Sequence, residues 1–493
     1  MLTGIDYFIV IAYILGILFL GYYFRKFVSS SEDYFLGGRS LPFWAIGMSI
    51  VVSDIGAMDF VGISGQAYRY GISVGNFDWI GSVPAMLLAA FIFIPYFWRG
   101  GMYTIPEYLG RRYNSGVRTI ASLSWIIFFA FDLGVLFWAS AVLLNALMGW
   151  PIWISIVITA GVVGLYTYFG GITAVVMTDV VQMVIMFVGG FTLVYLGFEA
   201  VGGWEGLVTK IQAKGPEFER HFDLIQPSDT PTPYPWSGIL FGLTFVMANA
   251  YMIGNQAIVQ RCLTAKSEWD AKASMIFASS LKLLIPVLVL FPGLMAIVLH
   301  PGLEDGDQAL PMMIKSVLPS GLTGLMFSAF FAGLMSSVDS MLNSTATLFT
   351  KDIYEPYFRK GADDKHYLRV GKITTIVLLV IGVVTAPVSD MFPGIYVAVQ
   401  TFLSYFQGPI FSILLLGIFW RRTTAMGGLA GLVSGIAVAV VLNTVEGIFT
   451  IEDPFLYVSW WSFVTGFLVT VIVSLFTKPF SRERLKGLVY KNR

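Results

Sequence analysis

Long apolar runs, separated by short polar stretches, follow one another along nearly the whole chain. A membrane-spanning helix needs about 20 mostly apolar residues, and the runs are of that order. The first, residues 5–24, lacks the basic start and small-residue cleavage site of a removable signal peptide, so we interpret it as a retained helix. Further spans are predicted at residues 42–64, 75–98, 118–148, 152–169, 173–200, 236–258, 271–299, 319–350, 367–388, 391–419, 425–443 and 457–477. The pattern predicts about thirteen membrane helices.

The amino-acid composition supports an all-α polytopic membrane protein. Of 493 residues, 56% are hydrophobic and only 12% are charged, and the mean hydropathy is +0.76. Soluble domains carry about 25% charged residues. The formal net charge is zero, which gives no electrostatic reason to expect a nucleic-acid partner.

The chemistry-bearing residues argue against an enzyme or a cofactor protein. Cys262 is the single cysteine, so no internal disulfide can form. The three histidines, His221, His300 and His366, fall in different connecting segments rather than on one helix face, which argues against a metal or haem centre. No stretch combines a nucleophile, a base and an oxyanion site, so we expect no enzymatic activity.

One predicted helix, residues 328–354, carries a narrow polar stripe on an otherwise apolar surface. The stripe recurs every three or four residues and consists of Gly333, Ser336, Ser337, Ser340, Asn343, Ser344 and Thr347. Asp339 lies beside it, and a carboxylate at membrane depth should face the bundle interior or a wet cavity. Hydroxyl and carboxylate oxygens suit a hard alkali cation, so we favour an ion site. The alternative is close helix packing, with serines bonded to their own helix.

Two predicted spans contain residues that interrupt a helix. The second combines Gly56, Gly62 and Gly65 with Asp54 and Asp59, and the seventh places Asn249, Gly254 and Asn255 near mid-membrane. Unwound backbone at that depth is tolerated where it is buried in protein or lines a cavity. Paired interrupted helices point to the central site of a transporter. Each of these spans begins a block of five helices, which suggests an inverted repeat.

Lysine and arginine bias predicts the orientation of the chain. The basic groups alternate in the loop order and are Arg25, Lys26 and Arg39; Arg99, Arg111, Arg112 and Arg118; Arg261, Lys266 and Lys272; Lys351, Arg359, Lys360 and Lys365; Arg421 and Arg422; and the tail from residue 478 to 493. The loops between them are poor in basic residues or acidic, as at Glu304, Asp305, Asp307, Glu446, Glu452 and Asp453. The positive-inside rule then places the N-terminus outside and the C-terminus in the cytoplasm. The largest external loop, residues 202–235, is predicted to form a short cap.

Several segments resemble the sodium/solute symporter family, and specifically its sodium/glucose cotransporter branch. They are SEDYFLGGRSLPFWAIG (31–47), YTIPEYLGRRYN (103–114), FGGITAVVMTDVVQ (169–182), NQAIVQRCLTAKS (255–267), SSVDSMLNSTATLFTKDIY (336–354) and LLGIFWRRTTAMGG (415–428). They keep the family's order over nearly the whole chain. Gly428 departs from the alanine that is usual in the last segment.

This resemblance implies a LeuT-like fold of two inverted five-helix repeats, at residues 42–200 and 236–419. Residues 5–24 and 425–477 would add helices at the two ends of a single transmembrane domain. The resemblance also implies a sodium site formed by the carbonyls of Val52, Ile55 and Gly333 and the hydroxyls of Ser336 and Ser337. A second cation, or a proton, would bind at Asp179, Asp339 and Ser340, where Asp339 replaces a small residue.

The implied solute pocket matches the sugar-binding members in part. Its residues would be Asp59, Asp78, Tyr251, Lys282, Tyr396 and Gln400, with Tyr251 as an inner gate. Ala248, Gly81 and Met252 replace polar or aromatic contacts of those members. A carboxylate, an amide and an ammonium suit a solute whose hydroxyls both donate and accept.

Plainer explanations exist for several of these residues. Asp59 and Lys282 could simply neutralise each other, since charges within the membrane usually pair. Asp54 could cap the unwound segment, and Asp132, which matches no family role, is expected to have a buried partner. Tyr251 and Tyr396 could be ordinary packing residues of the core.

The sequence therefore predicts a sodium-coupled symporter of the cell membrane that imports a small polar solute, most simply a sugar or cyclitol, by alternating access. Sodium is the coupling ion, and no catalytic residue or organic cofactor is expected. The alternatives are a carboxylated solute such as a sialic or uronic acid held by Lys282, a cationic metabolite held by Asp59 and Asp78, or a sodium-dependent solute sensor.

Overall fold

Helices account for most of the molecule. The computed structural model describes residues 3–24, 30–56, 58–392, 394–445, 447–451 and 453–490. The first α-helices are α1 Gly4–Phe24, α2 Ser31–Leu36, α3 Phe43–Asp54, α4 Ser64–Tyr70, α5 Val83–Leu88, α6 Ile94–Arg99, α7 Ile105–Arg112, α8 Ser115–Met148, α9 Ile152–Val201 and α10 Gly203–Gln212. They are followed by α11 Ala248–Gly254, α12 Gln256–Leu263, α13 Glu268–Lys282, α14 Ile285–Leu299, α15 Ala309–Val317, α16 Leu322–Leu348, α17 Glu355–Tyr357, α18 Asp364–Thr385, α19 Ile395–Ser404, α20 Gln407–Phe419, α21 Ala425–Thr444 and α22 Phe455–Phe476.

Short π-helical and 3₁₀ segments connect or extend these helices. The π-helical segments are Asp59–Ile63, Phe77–Ser82, Ala89–Phe93, Gly238–Met247 and Phe349–Tyr354. The 3₁₀ segments are Gly37–Arg39, Gly71–Gly75, Pro216–Phe218, Gly306–Gln308 and Ala386–Met391. The predicted cap at residues 202–235 contains α10 and one of these 3₁₀ turns, and it contacts the core where the Ile72 N–H donates to the His221 carbonyl.

Nine helices in the described part of the chain are long and apolar enough to cross a membrane. The number rises to as many as eleven if each of two bent helix pairs is one span. Two shorter apolar helices, Phe43–Asp54 and Ile152–Gly164, lie beside them. The expected count of about thirteen is therefore not confirmed. Gly171, at φ 60°, interrupts α9, as expected from the division into spans at 152–169 and 173–200.

Both predicted helix breaks are present, and a third was missed. Helix α3 ends at Asp54, and the chain bends by 49° at Asn255, where α11 gives way to α12. The Asn255 side chain accepts the Ala257 N–H and so starts the second half of that span. A further bend of 44° separates α19 from α20 within the predicted span 391–419.

Helix α16, which carries the polar stripe, forms the centre of the bundle. It packs against α1, α3, α8, α9 and α18. Every residue from Met326 to Leu348 is buried. By contrast, α1 and α18 keep most of their apolar surface exposed, as helices next to lipid do. The stripe therefore faces protein on every side, and its polar groups must find partners there.

The loops meet at two opposite ends of the bundle. At one end, Arg118 pairs with Asp352, Arg99 with Glu268, and Arg112 donates to the Gly417, Trp420 and Thr423 carbonyls. At the other end, Arg69 pairs with Asp305, Tyr68 donates to the His300 carbonyl, and the Tyr234 hydroxyl donates to Gln66. The predicted basic loops thus contact one another at one end of the bundle, and the acidic loop at residues 304–307 lies at the other end. Arg25, Lys26, Glu446, Glu452 and Arg493 lie outside the described residues.

Helices α4 and α14 pack backbone to backbone. Gly293 allows this approach, because a Cβ there would lie 2.0 Å from the Ser64 carbonyl oxygen. The Ser64 hydroxyl also donates to the Val289 carbonyl. The position of α4, which follows the α3 break, therefore depends on Gly293 in α14.

We expect Gly293→Ala to destabilise the protein, because overpacking a tight contact costs about 1–3 kcal/mol. The melting temperature in detergent should fall by several degrees. Gly16→Ala is the matched control, since a Cβ at Gly16 meets nothing within 4 Å. An equal effect of the two substitutions would contradict the packing assigned to Gly293.

Candidate functional site: a broken helix beside a polar cavity

The end of α3 leaves backbone carbonyls without helical partners. The Gly56 N–H donates to the Asp59 carboxylate at 2.9 Å, and the Asp59 N–H turns back to the Gly56 carbonyl at 3.1 Å. A continued helix would have used these two N–H groups for the carbonyls of Val52 and Ile55. Unpaired carbonyl oxygens inside a membrane protein are costly unless another group binds them.

The polar stripe of α16 packs directly on this break. A Cβ at Gly333 would lie 2.8 Å from the Ile55 carbonyl oxygen, and one at Gly56 would lie 2.6 Å from the Ser337 hydroxyl. Ser337 donates to the Ser53 carbonyl at 2.9 Å. The structure thus places the helix end that carries Val52 against the part of α16 that carries Ser336. Together they concentrate neutral oxygen atoms, the ligand type that sodium prefers.

The second candidate cation position already contains a charged side chain, that of Arg261. Its guanidinium is fully buried and donates to the hydroxyls of Ser49 and Ser53, each at 2.7 Å, and to that of Ser340. It also pairs with Asp179 at 3.4 Å. Sequence reasoning counted Arg261 only as a loop charge, since nothing in the pattern shows that its side chain turns inward from α12.

The six residues predicted to contact solute line one cavity next to the α3 break. They are Asp59, Asp78, Tyr251, Lys282, Tyr396 and Gln400. The volume open to the centres of water-sized atoms is about 90 Å³. A single water needs about 10–15 Å³ on that measure, so the space suits roughly six to nine water-sized groups. Ser53 and Ser337 also line it, which joins the cavity to the oxygen cluster at the break.

Lys282 bridges two carboxylates in the wall of the cavity. Its ammonium nitrogen lies 2.5 Å from Asp78 and pairs also with Asp54. The suggested simple pair between Asp59 and Lys282 is therefore wrong, and so is the capping role suggested for Asp54. It is Asp59 that accepts the N–H at the break. The sequence showed the charges but not which helix faces which.

Two further polar residues of the wall were not predicted to face solute. Asp132, on α8, is 4% exposed, and its Oδ1 is buried without a hydrogen-bond partner, which contradicts the buried partner expected for it. Gln407, at the start of α20, is buried, and both of its amide heavy atoms lack partners. Both residues line the cavity. Buried polar atoms are almost always bonded, so such groups indicate a place for a ligand or water.

The side of the cavity next to the Asp307 loop is closed by contacts between three segments. Tyr396 of α19 packs on Gly62, where a Cβ would lie 3.0 Å from the tyrosine backbone, and its ring meets that of Phe77 at 5.3 Å. Next to Tyr396, the carboxylate of Asp307 accepts the N–H of Ile395 at 2.9 Å. Asp307 also contacts Gly65 of α4, so this loop residue connects α4 to α19.

Comparison with known proteins identifies the family. The model of the sodium:solute symporter family matches residues 34–435. The chain belongs to the sodium:solute symporter family. The Sodium/glucose cotransporter of Vibrio parahaemolyticus is 33% identical to this symporter, over 91% of the chain and 84% of the relative. Sodium/myo-inositol cotransporter 2 of Oryctolagus cuniculus is 31% identical, over 99% of the chain and 79% of the relative.

Solved structures show the same fold. The symporter matches a substrate-bound outward-open Na⁺-coupled sialic acid symporter with a TM-score of 0.86 and 24% identity, over 97% of this chain and 99% of that one. It also matches Mhp1, a nucleobase-cation-symport-1 family transporter, with a TM-score of 0.59 and 16% identity, over 92% and 97% of the two chains. The expected LeuT-like fold is confirmed. The protein is a multi-pass, sodium-coupled symporter of a small organic solute and not an enzyme.

The loop carboxyl of Asp307 gives this closure a dependence on pH. Burial and the neighbouring Asp305 carboxylate raise the pKa of Asp307 to about 7, although the Ile395 N–H and Arg69 act in the opposite direction. When the closure opens to water, this pKa should return toward about 4. The closed form therefore binds more protons, so its extra stability is complete below about pH 4 and is lost as pH rises through about 7.

Acidifying the solution on the side of this closure from pH 8 to 6 should shift the symporter toward the closed form by up to about tenfold. Linkage amounts to at most tenfold per pH unit, and only the unit below the pKa of about 7 contributes. Initial uptake rates in proteoliposomes with fixed internal pH should fall accordingly. Asp307→Asn keeps an acceptor for the Ile395 N–H but cannot titrate, so the initial uptake rate of this variant should not change between pH 8 and 6. An unchanged pH profile in this variant would remove Asp307 as the titrating group.

Proposed function

We propose that the symporter imports a small polyhydroxylated solute of the sugar or cyclitol class. The observation that carries this proposal is the cavity, in which carboxylates, an ammonium, the amide of Gln400 and two tyrosines surround a space of about 90 Å³. A hydroxyl group both donates and accepts hydrogen bonds, so a polyol can pair with the donors and the acceptors of the cavity wall. A solute without hydroxyl groups would leave buried polar groups of the wall unpaired. Relatives named as glucose and myo-inositol cotransporters support the same class.

The proposed sodium ligands are the carbonyls of Val52, Ile55 and Gly333 and the hydroxyls of Ser336 and Ser337. Their support is the α3 break, where carbonyls lack helical partners, and the contact of Gly333 and Ser337 with that break. Sodium at this point would join α3 to α16. Closing or separating those two helices would then depend on the ion, which is the coupling that symport requires.

We further propose that one sodium moves with each solute. Arg261 supports this, because its guanidinium contacts Asp179 and Ser340, two of the residues expected to bind a second cation. A fixed cation there neutralises the carboxylate without an ion from solution. Each sodium moving through 100 mV contributes about 2.3 kcal/mol, so the choice between one and two ions changes the attainable accumulation by well over tenfold.

Alternating access would move the two repeats, residues 42–200 and 236–419, against each other, with residues 5–24 and 425–477 outside that motion. The breaks near Ile55 and Asn255 support this division, because they occupy matching places at the start of the two blocks. The mutual contacts of the basic loops support a single cytoplasmic face with an external N-terminus and a cytoplasmic C-terminus.

A carboxylated solute held by Lys282 fits the cavity less well. The ammonium already bridges Asp54 and Asp78, so a third carboxylate would have to displace one of them and leave it unpaired. The likeness to a sialic acid symporter is at 24% identity and bears on the fold alone. A sensor that binds solute without accumulating it would be recognised by binding without gradient-driven uptake.

The function is tested by uptake of radiolabelled glucose, galactose, myo-inositol and sialic acid into proteoliposomes. An inward sodium gradient should drive accumulation of a neutral polyol above equilibrium, and a potassium gradient of the same size should not. Sodium-dependent binding with no accumulation of any solute would contradict transport and favour the sensor.

Ser337→Ala should weaken apparent sodium affinity by about five- to tenfold, the effect of losing one ligand worth about 1–1.4 kcal/mol. Ser328→Ala is the matched control on the same helix, because the Ser328 hydroxyl donates to the Gly324 carbonyl of its own helix. Sodium titration of uptake provides the measurement. Equal sodium affinity in the two variants would exclude Ser337 from the site.

The single-ion proposal predicts a sodium Hill coefficient of about one. In folded Asp339→Ala this coefficient should be unchanged. A coefficient clearly above one that falls in Asp339→Ala would instead show a second mobile cation at the Asp179, Asp339 and Ser340 position.

A further inference from the structure

Asp132 is a buried carboxyl that the contacts described so far leave unused. It lies near the middle of α8 and is 4% exposed. One of its oxygens has no hydrogen-bond partner, and no lysine, arginine or histidine among the described residues lies within ion-pair distance of it. A buried carboxylate without a partner is strongly unfavourable, so this position needs a proton or a cation from elsewhere.

The balance of charges around the cavity also indicates that a further positive charge is needed. Its wall contains four carboxyl groups, those of Asp54, Asp59, Asp78 and Asp132, and one ammonium, that of Lys282. The ammonium is already used by Asp54 and Asp78, and Asp59 accepts the Gly56 N–H. One sodium at the α3 break still leaves the wall short of positive charge, because no fixed cation among the described residues pairs with Asp59 or with Asp132. Asp59 is stabilised by the Gly56 N–H, whereas the buried Oδ1 of Asp132 has no hydrogen-bond partner.

Aromatic side chains line the same cavity as this carboxyl. Phe128 precedes Asp132 by one helical turn, so both lie on the same face of α8, and both line the cavity. The tyrosine Tyr251 lines it as well. A carboxylate beside aromatic faces is a typical environment for an ammonium group, which the ring quadrupole attracts from one side and the carboxylate from another.

A hydroxyl group would satisfy Asp132 less completely than an ammonium. It can donate one hydrogen bond, but it leaves the buried negative charge uncompensated in surroundings of low dielectric constant. A protonated amine supplies both the hydrogen bond and the charge, and charge-assisted hydrogen bonds are roughly twice as strong as neutral ones.

We propose that the solute is an amine-bearing polyol, an amino sugar or aminocyclitol, whose ammonium group binds Asp132 beside Phe128 and Tyr251. This inference rests on the proposed function and narrows its substrate class. In this arrangement the hydroxyl groups of the solute face Gln400 and the side of the cavity where Lys282 joins Asp54 and Asp78. Asp132 thus sets specificity by charge.

The test compares glucosamine with glucose, which differ only by an ammonium in place of one hydroxyl, and an aminocyclitol with myo-inositol. Sodium-driven uptake and competition should favour the aminated member of at least one pair by tenfold or more. Asp132→Asn preserves size, so it should lower affinity for the aminated solute by at least tenfold and leave the neutral partner unchanged or improved. Asp390→Asn, which changes an exposed carboxyl, should leave the preference intact.

Three outcomes would overturn the proposal. The first is preference for the neutral member of both pairs in the wild-type symporter. The second is an equal loss for both members in Asp132→Asn, once the variant shows a normal elution profile and melting temperature. The third is uptake of a neutral polyol accompanied by a proton, detected as lumenal acidification that disappears in Asp132→Asn. Failure of the proposed function is separate, because then no member of either pair accumulates with sodium.

Discussion

The hydrogen bond from the Gly56 N–H to the Asp59 carboxylate holds open the end of α3, and the rest of the site depends on it. It diverts an N–H that would otherwise continue the helix, and so it exposes backbone carbonyls inside the membrane protein. Helix α16 can approach this end because Gly333 has no side chain to strike the Ile55 carbonyl. The same carboxylate lines the cavity, so one residue links the backbone break to the space for solute.

Buried cations organise the carboxylates around that break. Lys282 fixes Asp54 and Asp78 on the cavity side, and Arg261 fixes Asp179 and the neighbouring serines on the other side. Charges at this depth are stable only in such pairs. What remains unpaired is then informative, because the oxygens at the break and the carboxyl of Asp132 are the places where transported species can supply the missing charge.

The sequence allowed the spans, the polar stripe and the breaks near Gly56 and Asn255 to be predicted, because glycine, asparagine and serine stand out in apolar runs. It did not reveal that Arg261 turns inward or that Lys282 chooses Asp54 and Asp78, since such pairings depend on how helices distant in sequence face each other. The bend between α19 and α20 was missed although the sequence carries a signal for it, because Gly408 and Pro409 follow the break within three residues. Asp307 looked like an acidic loop residue, and only the fold places it on the N-terminus of α19.

Hydrogen–deuterium exchange with and without sodium tests most directly whether the ion binds at the broken helix. In sodium, exchange should slow only in the peptides that contain residues 52–58 and 333–340, relative to the same concentration of potassium. These peptides come from two helices that are distant in sequence, so joint protection would require an ion that joins them. Sodium-dependent protection elsewhere, with none in these two segments, would show that the ion does not bind at the broken helix.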